Sequence, residues 1–211
     1  MEYIRHQIIA IGHRLWQLGM MPAGDGNISA RVKPKMMLIT ASGVSKGFLT
    51  NDDIIVLDGE QKRLGGKGEP STEIALHSLV YKLRDDVNAV IHAHPVMATV
   101  FACTGMELPY DLLPEVAIKL GRIPTAPFAL PSTGDVAKVA EEYIKKYNAF
   151  LLKNHGAVAL GRNLEEAFMR MELVEHLAKV AFYAKLLGEY EPIPSEFMEK
   201  LEKMGEQFRN Q

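Results

Sequence analysis

At 211 residues the chain is long enough for one domain (residues 1–211) with an ample core. Charged residues at 24% and hydrophobic ones at 47% are ordinary for a globular protein, and a net charge of -2 gives neither a basic footprint for nucleic acid nor a polybasic patch for a membrane. A single cysteine, Cys103, excludes an internal disulfide and points to a reducing cytoplasm; its neighbours Val100, Phe101 and Ala102 mark it as a small core thiol.

Ile4, Ile8, Ile11, Leu15 and Leu18 form a helical stripe that stops at Gly19. Arg5, His6, His13 and Arg14 interrupt it, so it lacks the apolar core of a signal peptide, and no later run is long enough to span a membrane. After a turn-rich segment from Pro22 to Gly26, Ile28–Val32 and Met36–Thr40 read as a hairpin around Lys33-Pro34-Lys35. Asp53–Leu57 is a third strand, closed by the turn signal Asp58-Gly59. A helix over 72–84 and a strand over 87–92 follow, then short helices at 97–103 and 115–120 around a loop holding Pro109 and Pro114. Strands at 122–127 and 149–152 flank a helix at 135–146. Asn163, with Glu165 and Glu166 behind it, caps a long helix to about Gly188, and a helical tail starts at Ser195. Hairpins in the first half and alternation with helices in the second predict an α/β layered fold with a mixed, mainly antiparallel sheet. No GxGxxG follows a strand, so a dinucleotide site is unsupported.

The chemistry concentrates in His92-Ala93-His94 and in Asn154-His155-Gly156. Side chains two apart on a strand share a face, so His92 and His94 can reach one ion, and His155, after the apolar run 149–152, can bring a third nitrogen. Three neutral imidazoles suit a divalent ion such as zinc and leave one position open for water or substrate. The remaining histidines, His6, His13, His77 and His176, read as surface or helix-pair residues; His77 lies four after Glu73 and His176 four after Glu172.

Three polar turns form a second constellation: 24–29 (GDGNIS), 40–43 (TASG) and 70–73 (PSTE). The glycines of the first two leave backbone N–H groups accessible, while Ser71 and Thr72 open a helix whose dipole favours an anion. Converging, they would make a phosphate pocket without any lysine. Glu73, next to that pocket, reads as helix cap, metal ligand or catalytic base, and burial by substrate would raise its pKa toward proton-transfer use.

These segments, with HAHP at 92–95 and KNHGAVALG at 153–161, resemble the class II, metal-dependent sugar-phosphate aldolases, the group of L-fuculose-1-phosphate aldolase and L-ribulose-5-phosphate 4-epimerase. The resemblance runs from the N-terminal helix to the helix ending near Gly188. It implies a three-layer α/β/α fold and Zn2+ on His92, His94 and His155, with Mn2+ or Co2+ as alternatives. It also implies a substrate phosphate at Asn27, Ser42, Gly43, Ser71 and Thr72, and Glu73 as acid/base. The implied reaction cleaves the C3–C4 bond of a ketose 1-phosphate into dihydroxyacetone phosphate and a small aldehyde, in a cytoplasmic homotetramer with active sites between subunits. A second acid, often a tyrosine of the neighbouring subunit, has candidates in Tyr110 and Tyr190. Glu115 is the candidate if the chain is instead a dehydratase of 5-methylthioribulose 1-phosphate, and is otherwise a helix-N-terminal carboxylate. A pentulose-phosphate 4-epimerase, a 5-methylthioribulose-1-phosphate aldolase, a hydrolase using zinc-bound water and a non-catalytic aldolase-like module are the remaining alternatives. The module would be expected to have lost ligands that this chain retains.

Overall fold

The computed structural model describes residues 1–188 and 190–209. After helix α1 (Glu2–Gln17) come strands β1 (Asn27–Lys33), β2 (Met36–Thr40), β3 (Ile54–Asp58) and β4 (Arg63–Gly65), then α2 (Ile74–Leu83) and β5 (Ala89–Ala93). The second half runs α3 (Val96–Thr104), α4 (Pro114–Lys119), β6 (Thr125–Ala126), α5 (Gly134–Lys146), β7 (Ala149–Leu152), β8 (Gly156–Gly161), α6 (Leu164–Leu187) and α7 (Ser195–Arg209). The strands form one sheet in the order β4-β3-β2-β1-β5-β8-β7-β6. Every neighbouring pair is antiparallel except β6–β7. The mixed, mainly antiparallel sheet is thus the one expected.

Period-two alternation sorts the strand side chains onto two buried faces. Ile28, Ala30, Ile91, Ala93, Leu151, Ala157 and Ala159 pack against residues of α1, α3, α4 and α6. Val90, Phe150, Leu152, Val158 and Leu160 pack on the opposite face against Leu76 and Val80 of α2 and Val136, Ala140 and Ile144 of α5. These are the three layers. β8 belongs to no strand expected from the sequence: its run Gly-Ala-Val-Ala-Leu-Gly is buried on both faces and so shows no polar alternation. The strand expected over 122–127 shrinks to Thr125–Ala126, because Pro124 and Pro127 bound it. Cys103 is exposed rather than in the core, since α3 turns Phe101 and Ala102 inward and leaves the next position facing out.

Asn163 caps α6 as expected, its side chain accepting from the N–H of Glu166 at 2.8 Å, a contact worth about 1 kcal/mol. Further along α6, the buried Glu175 accepts from the N–H groups of Met97 (3.3 Å) and Ala98 (3.0 Å). A carboxylate on these unpaired N–H groups offsets the positive end of α3. It also fixes where α3 starts, two residues after His94. No helix among the described residues is long and apolar enough to cross a membrane.

Candidate metal centre and catalytic cleft

β5 delivers the first imidazole from the middle of the sheet. His92 is fully buried and pairs with Asn27 of β1 on one side and Val158 of β8 on the other. His94 follows at the end of the strand, and its N–H is held by Met20 O at 2.8 Å. His155 sits at the tip of the β7–β8 hairpin, where Asn154 takes the left-handed conformation (φ 57°) that Asn tolerates best after Gly. The hairpin lies so close to β5 that a Cβ on Gly156 would collide with Ala93 O. Glycine is therefore a steric condition for bringing His155 to the other two rings. The three ring centroids stand 4.6–5.0 Å apart. One ligating atom from each of His92, His94 and His155 lies within 4.8 Å of the others, as the two-residue spacing on β5 implied.

His92 Nδ1 lies 3.0 Å from Ala157 O, which can only accept. Nδ1 therefore carries a proton, and in the neutral ring Nε2 presents a lone pair. That lone pair faces His94 Nε2 at 3.1 Å and Glu73 Oε2 at 3.1 Å, while Glu73 Oε1 is buried with no hydrogen-bond partner. A cation among these atoms would be shared by the ring nitrogens and the carboxylate. Burial, with His92 and His155 nearby, pulls His94 down to about 3, and burial lowers His155 as well, so both imidazoles are neutral at pH 7. This donor set fits a divalent metal ion.

Glu73 occupies the N-cap position of α2 (φ -95°, ψ 16°) rather than its first turn. Burial raises its carboxyl, but the imidazole of His92 and the amide of Asn27 (Nδ2–Oε2 2.9 Å), joined by His155 and His77, more than offset this and leave it below the usual carboxylate range. Glu73, His94 and His155 line a cleft of about 490 Å3 together with Gly24, Asp25, Asn27, Ser42, Gly43, Ser71 and Thr72. The three polar turns thus converge with the histidine triad. Gly26 and Gly43 have φ of 73° and 71°, and a Cβ on Gly24 would stand 3.0 Å from Gly43, so close approach of the first two turns requires glycine. A larger apolar groove, about 710 Å3, runs along α6 past Met169 and Leu173 and contains none of the triad.

Three placements differ from the sequence reading. The pocket does contain a lysine: Lys46, 1% exposed, lines the cleft and donates to Gly24 O and Val44 O, both at 2.8 Å. Burial pulls its ammonium down to about 8, with Asp25 opposing. His77 is not a surface or helix-pair histidine; it is wholly buried and bonded to Asn27 and Ser29. Ser132, absent from the sequence reading, reaches the cleft and bonds Thr72 (2.9 Å). Tyr110, Glu115 and Tyr190, expected to act on a neighbouring subunit's site, do not line this chain's own cleft. Tyr110 donates to Glu202 of α7 at 2.9 Å under the guanidinium of Arg122, and Glu115 is exposed in the first turn of α4. Of these, only the polar seam carrying His77 left a usable signal: Glu73, His77 and Tyr81 recur at four-residue spacing beside the apolar Leu76 and Val80.

A mixed eight-stranded sheet carrying a histidine triad and a carboxylate at one strand end is the architecture of a known enzyme class. Residues 6–182 match the model of the Class II Aldolase and Adducin N-terminal domain family, and the chain belongs to it. It is 30% identical over 208 residues to the 5-deoxy-D-ribulose 1-phosphate aldolase of Bacillus thuringiensis, covering 98% of this chain and 97% of that protein. It is 32% identical over 206 residues to the L-fuculose phosphate aldolase of Escherichia coli, covering 98% and 94%. A solved L-fuculose 1-phosphate aldolase superposes with a TM-score of 0.89 at 33% identity, covering 99% of this chain and 97% of the other.

Proposed function

We propose that this protein is a zinc-dependent aldolase that reversibly cleaves a ketose 1-phosphate, L-fuculose 1-phosphate or a close analogue, into dihydroxyacetone phosphate and a small aldehyde. The observation that carries the reading is the convergence in one cleft of a histidine triad, a carboxylate with an unpartnered oxygen, and glycine-bearing turns suited to an anion. His92, His94 and His155 would hold the ion, which when bound supplies Lewis-acid stabilisation of the negative charge that carbon–carbon cleavage leaves on substrate oxygens. The backbone N–H of Gly43, the side chains of Ser42, Ser71 and Thr72, and the second N–H of Asn27 grip the substrate phosphate. Glu73 takes or returns the proton at the substrate carbon from which the aldehyde departs. Its place in the cleft between the histidine triad and the polar turns supports this role.

The phosphate grip predicts a strong preference for phosphorylated substrate. Hydrogen bonds to a charged group contribute roughly 1.5–3 kcal/mol each, so kcat/KM for the free ketose should fall by orders of magnitude below that of its 1-phosphate. Equal kinetics for the two would contradict a phosphate site at these residues.

The second acid comes, in this reading, from a neighbouring subunit of a cytoplasmic homotetramer, through Tyr110, Tyr190 or Glu115. The segment bearing these residues is tied together: Ile193 N–H donates to Asp111 O at 2.9 Å, and Tyr110 holds Glu202. Exposed apolar side chains near the end of α6, Leu186 (68%) and Leu187 (92%), supply surface that association would bury. Light scattering is expected to give a tetramer, and mixing inactive Glu73→Gln chains with inactive Tyr110→Phe or Glu115→Gln chains should restore activity in shared sites. A fully active monomer would refute the shared site.

A further inference from the structure

The strongest unused feature is a buried polar seam between β1 and α2. Asn27 and Ser29 lie two apart on β1 and so share a face, while Glu73, His77 and Tyr81 lie four apart along α2. Two strand residues advance about 6.8 Å and four helical residues about 6 Å, so the two rows stay in step. The contacts run Tyr81 OH to Ser29 Oγ (2.7 Å), Ser29 Oγ to His77 Nδ1 (2.6 Å), His77 Nε2 to Asn27 Oδ1, and Asn27 Nδ2 to Glu73 Oε2 (2.9 Å). His77 and Ser29 are fully buried and Asn27 is 4% exposed.

We propose that this seam is a one-way hydrogen-bond chain aimed at Glu73, in which His77 is the positioning residue that keeps the N–H side of the Asn27 amide, and never its oxygen, against the carboxylate. The proposal rests on the reading of Glu73 as the proton-transfer group. The direction of every bond follows from its last member. An ionised carboxylate only accepts, so Asn27 donates through Nδ2 and turns Oδ1 to His77. Oδ1 only accepts, so His77 must be protonated at Nε2. A buried neutral ring holds one proton, which leaves Nδ1 bare to accept from the Ser29 hydroxyl. Ser29, having donated, accepts from Tyr81. Burial favours these neutral forms, pulling His77 down to about 3 and keeping the Tyr81 phenol protonated.

The seam answers a specific hazard. The two ends of an asparagine amide have nearly the same shape, and only the bonds they make decide which faces a neighbour. With His77 unable to donate, a half-turn of the amide would set its oxygen against the Glu73 carboxylate and push the carboxylate out of line. Tyr81 is itself anchored, its backbone carbonyl accepting from Arg31 at 2.9 Å and its ring lying 5.3 Å from that guanidinium. The chain therefore starts from a fixed point and ends at the reacting carboxylate.

The test is made on the metal-loaded full chain. Nitrogen-15 NMR of the labelled histidines is expected to show His77 as the Nε2–H tautomer with a bare Nδ1, and Ser29→Ala should keep that tautomer, because Asn27 and Glu73 still demand a proton on Nε2. His77→Phe, which fills the space but cannot donate, should lower kcat by roughly 10–100-fold, the usual cost of losing an outer hydrogen-bond partner, with KM and metal content nearly unchanged. His77→Gln, whose amide N–H can still reach Asn27, should recover part of kcat; mere space-filling predicts that the Phe variant does at least as well as the Gln variant. A wild-type His77 found as the Nδ1–H tautomer or as imidazolium would overturn the proposal, as would parental kcat in His77→Phe while Glu73→Gln is inactive. If Glu73→Gln itself kept full activity, the role of Glu73 would fall while the spectrum still decided the direction of the chain. If His77→Phe did not fold, the wild-type and Ser29→Ala spectra alone would decide it.

Discussion

His92→Ala is expected to abolish both metal binding and turnover. His92 is fully buried, its ring is locked by Ala157 O, and its Nε2 lies 3.1 Å from both His94 Nε2 and Glu73 Oε2. It is thus the imidazole that the other two and the carboxylate share. Removing it leaves two histidines that do not define a site, and it opens a void in the middle of the sheet next to Val158. Elemental analysis after exhaustive dialysis should show about one divalent ion per chain in the parent, consistent with three protein ligands and one open position, and close to none in the variant. Full retention of ion and activity would show that the triad is not the ligand set. Because the ring proton is fixed on Nδ1, His92→Gln should not rescue metal binding although its amide could still approach Ala157 O.

Glu73→Gln is the second large effect, of opposite kind. The amide has nearly the shape of the carboxylate and can still accept from Asn27, so the fold and the ion should be kept. It cannot exchange a proton near neutrality, and losing a positioned acid/base should lower kcat by about 10²–10⁴-fold. Steady-state kinetics with unchanged metal content check this; cleavage at the parental rate would remove Glu73 from the mechanism. Taken together, the two variants separate loss of the ion from loss of the proton-transfer group.

Much of the site was legible because its residues lie on regular elements. His92 and His94 announce a shared face through the strand period, and Asn163, Glu165 and Glu166 announce a helix start through capping chemistry. The architecture could also be read, since the hairpin signals at 33–35 and 58–59 and the later strand–helix alternation correspond to the antiparallel and mixed halves of the sheet. What stayed hidden depends on packing that no local pattern encodes. His77, four after Glu73, looks like half of an exposed helix pair, but Glu73 stands outside the helix as its cap and the His77 face is pressed onto β1. Lys46 sits in an ordinary polar stretch, and only a short 3-10 turn (Lys46–Phe48) folds its ammonium under the Gly24 carbonyl. β8 is hidden by its small residues, buried on both faces. Tyr110, Tyr190 and Glu115 lie outside the cleft, and in the proposed tetramer their role depends on a neighbouring chain, which no local pattern encodes.

The most direct test of the central claim is to incubate the zinc-loaded protein with a panel of ketose 1-phosphates, L-fuculose 1-phosphate among them, and to measure dihydroxyacetone phosphate with a coupled reductase while following the aldehyde separately. The account predicts equimolar release of the two products from at least one ketose 1-phosphate, abolished by a chelator and restored by adding zinc back. Conversion of a phosphorylated sugar to its C4 epimer or to a dehydrated ketone, with no dihydroxyacetone phosphate released from any member of the panel, would contradict it.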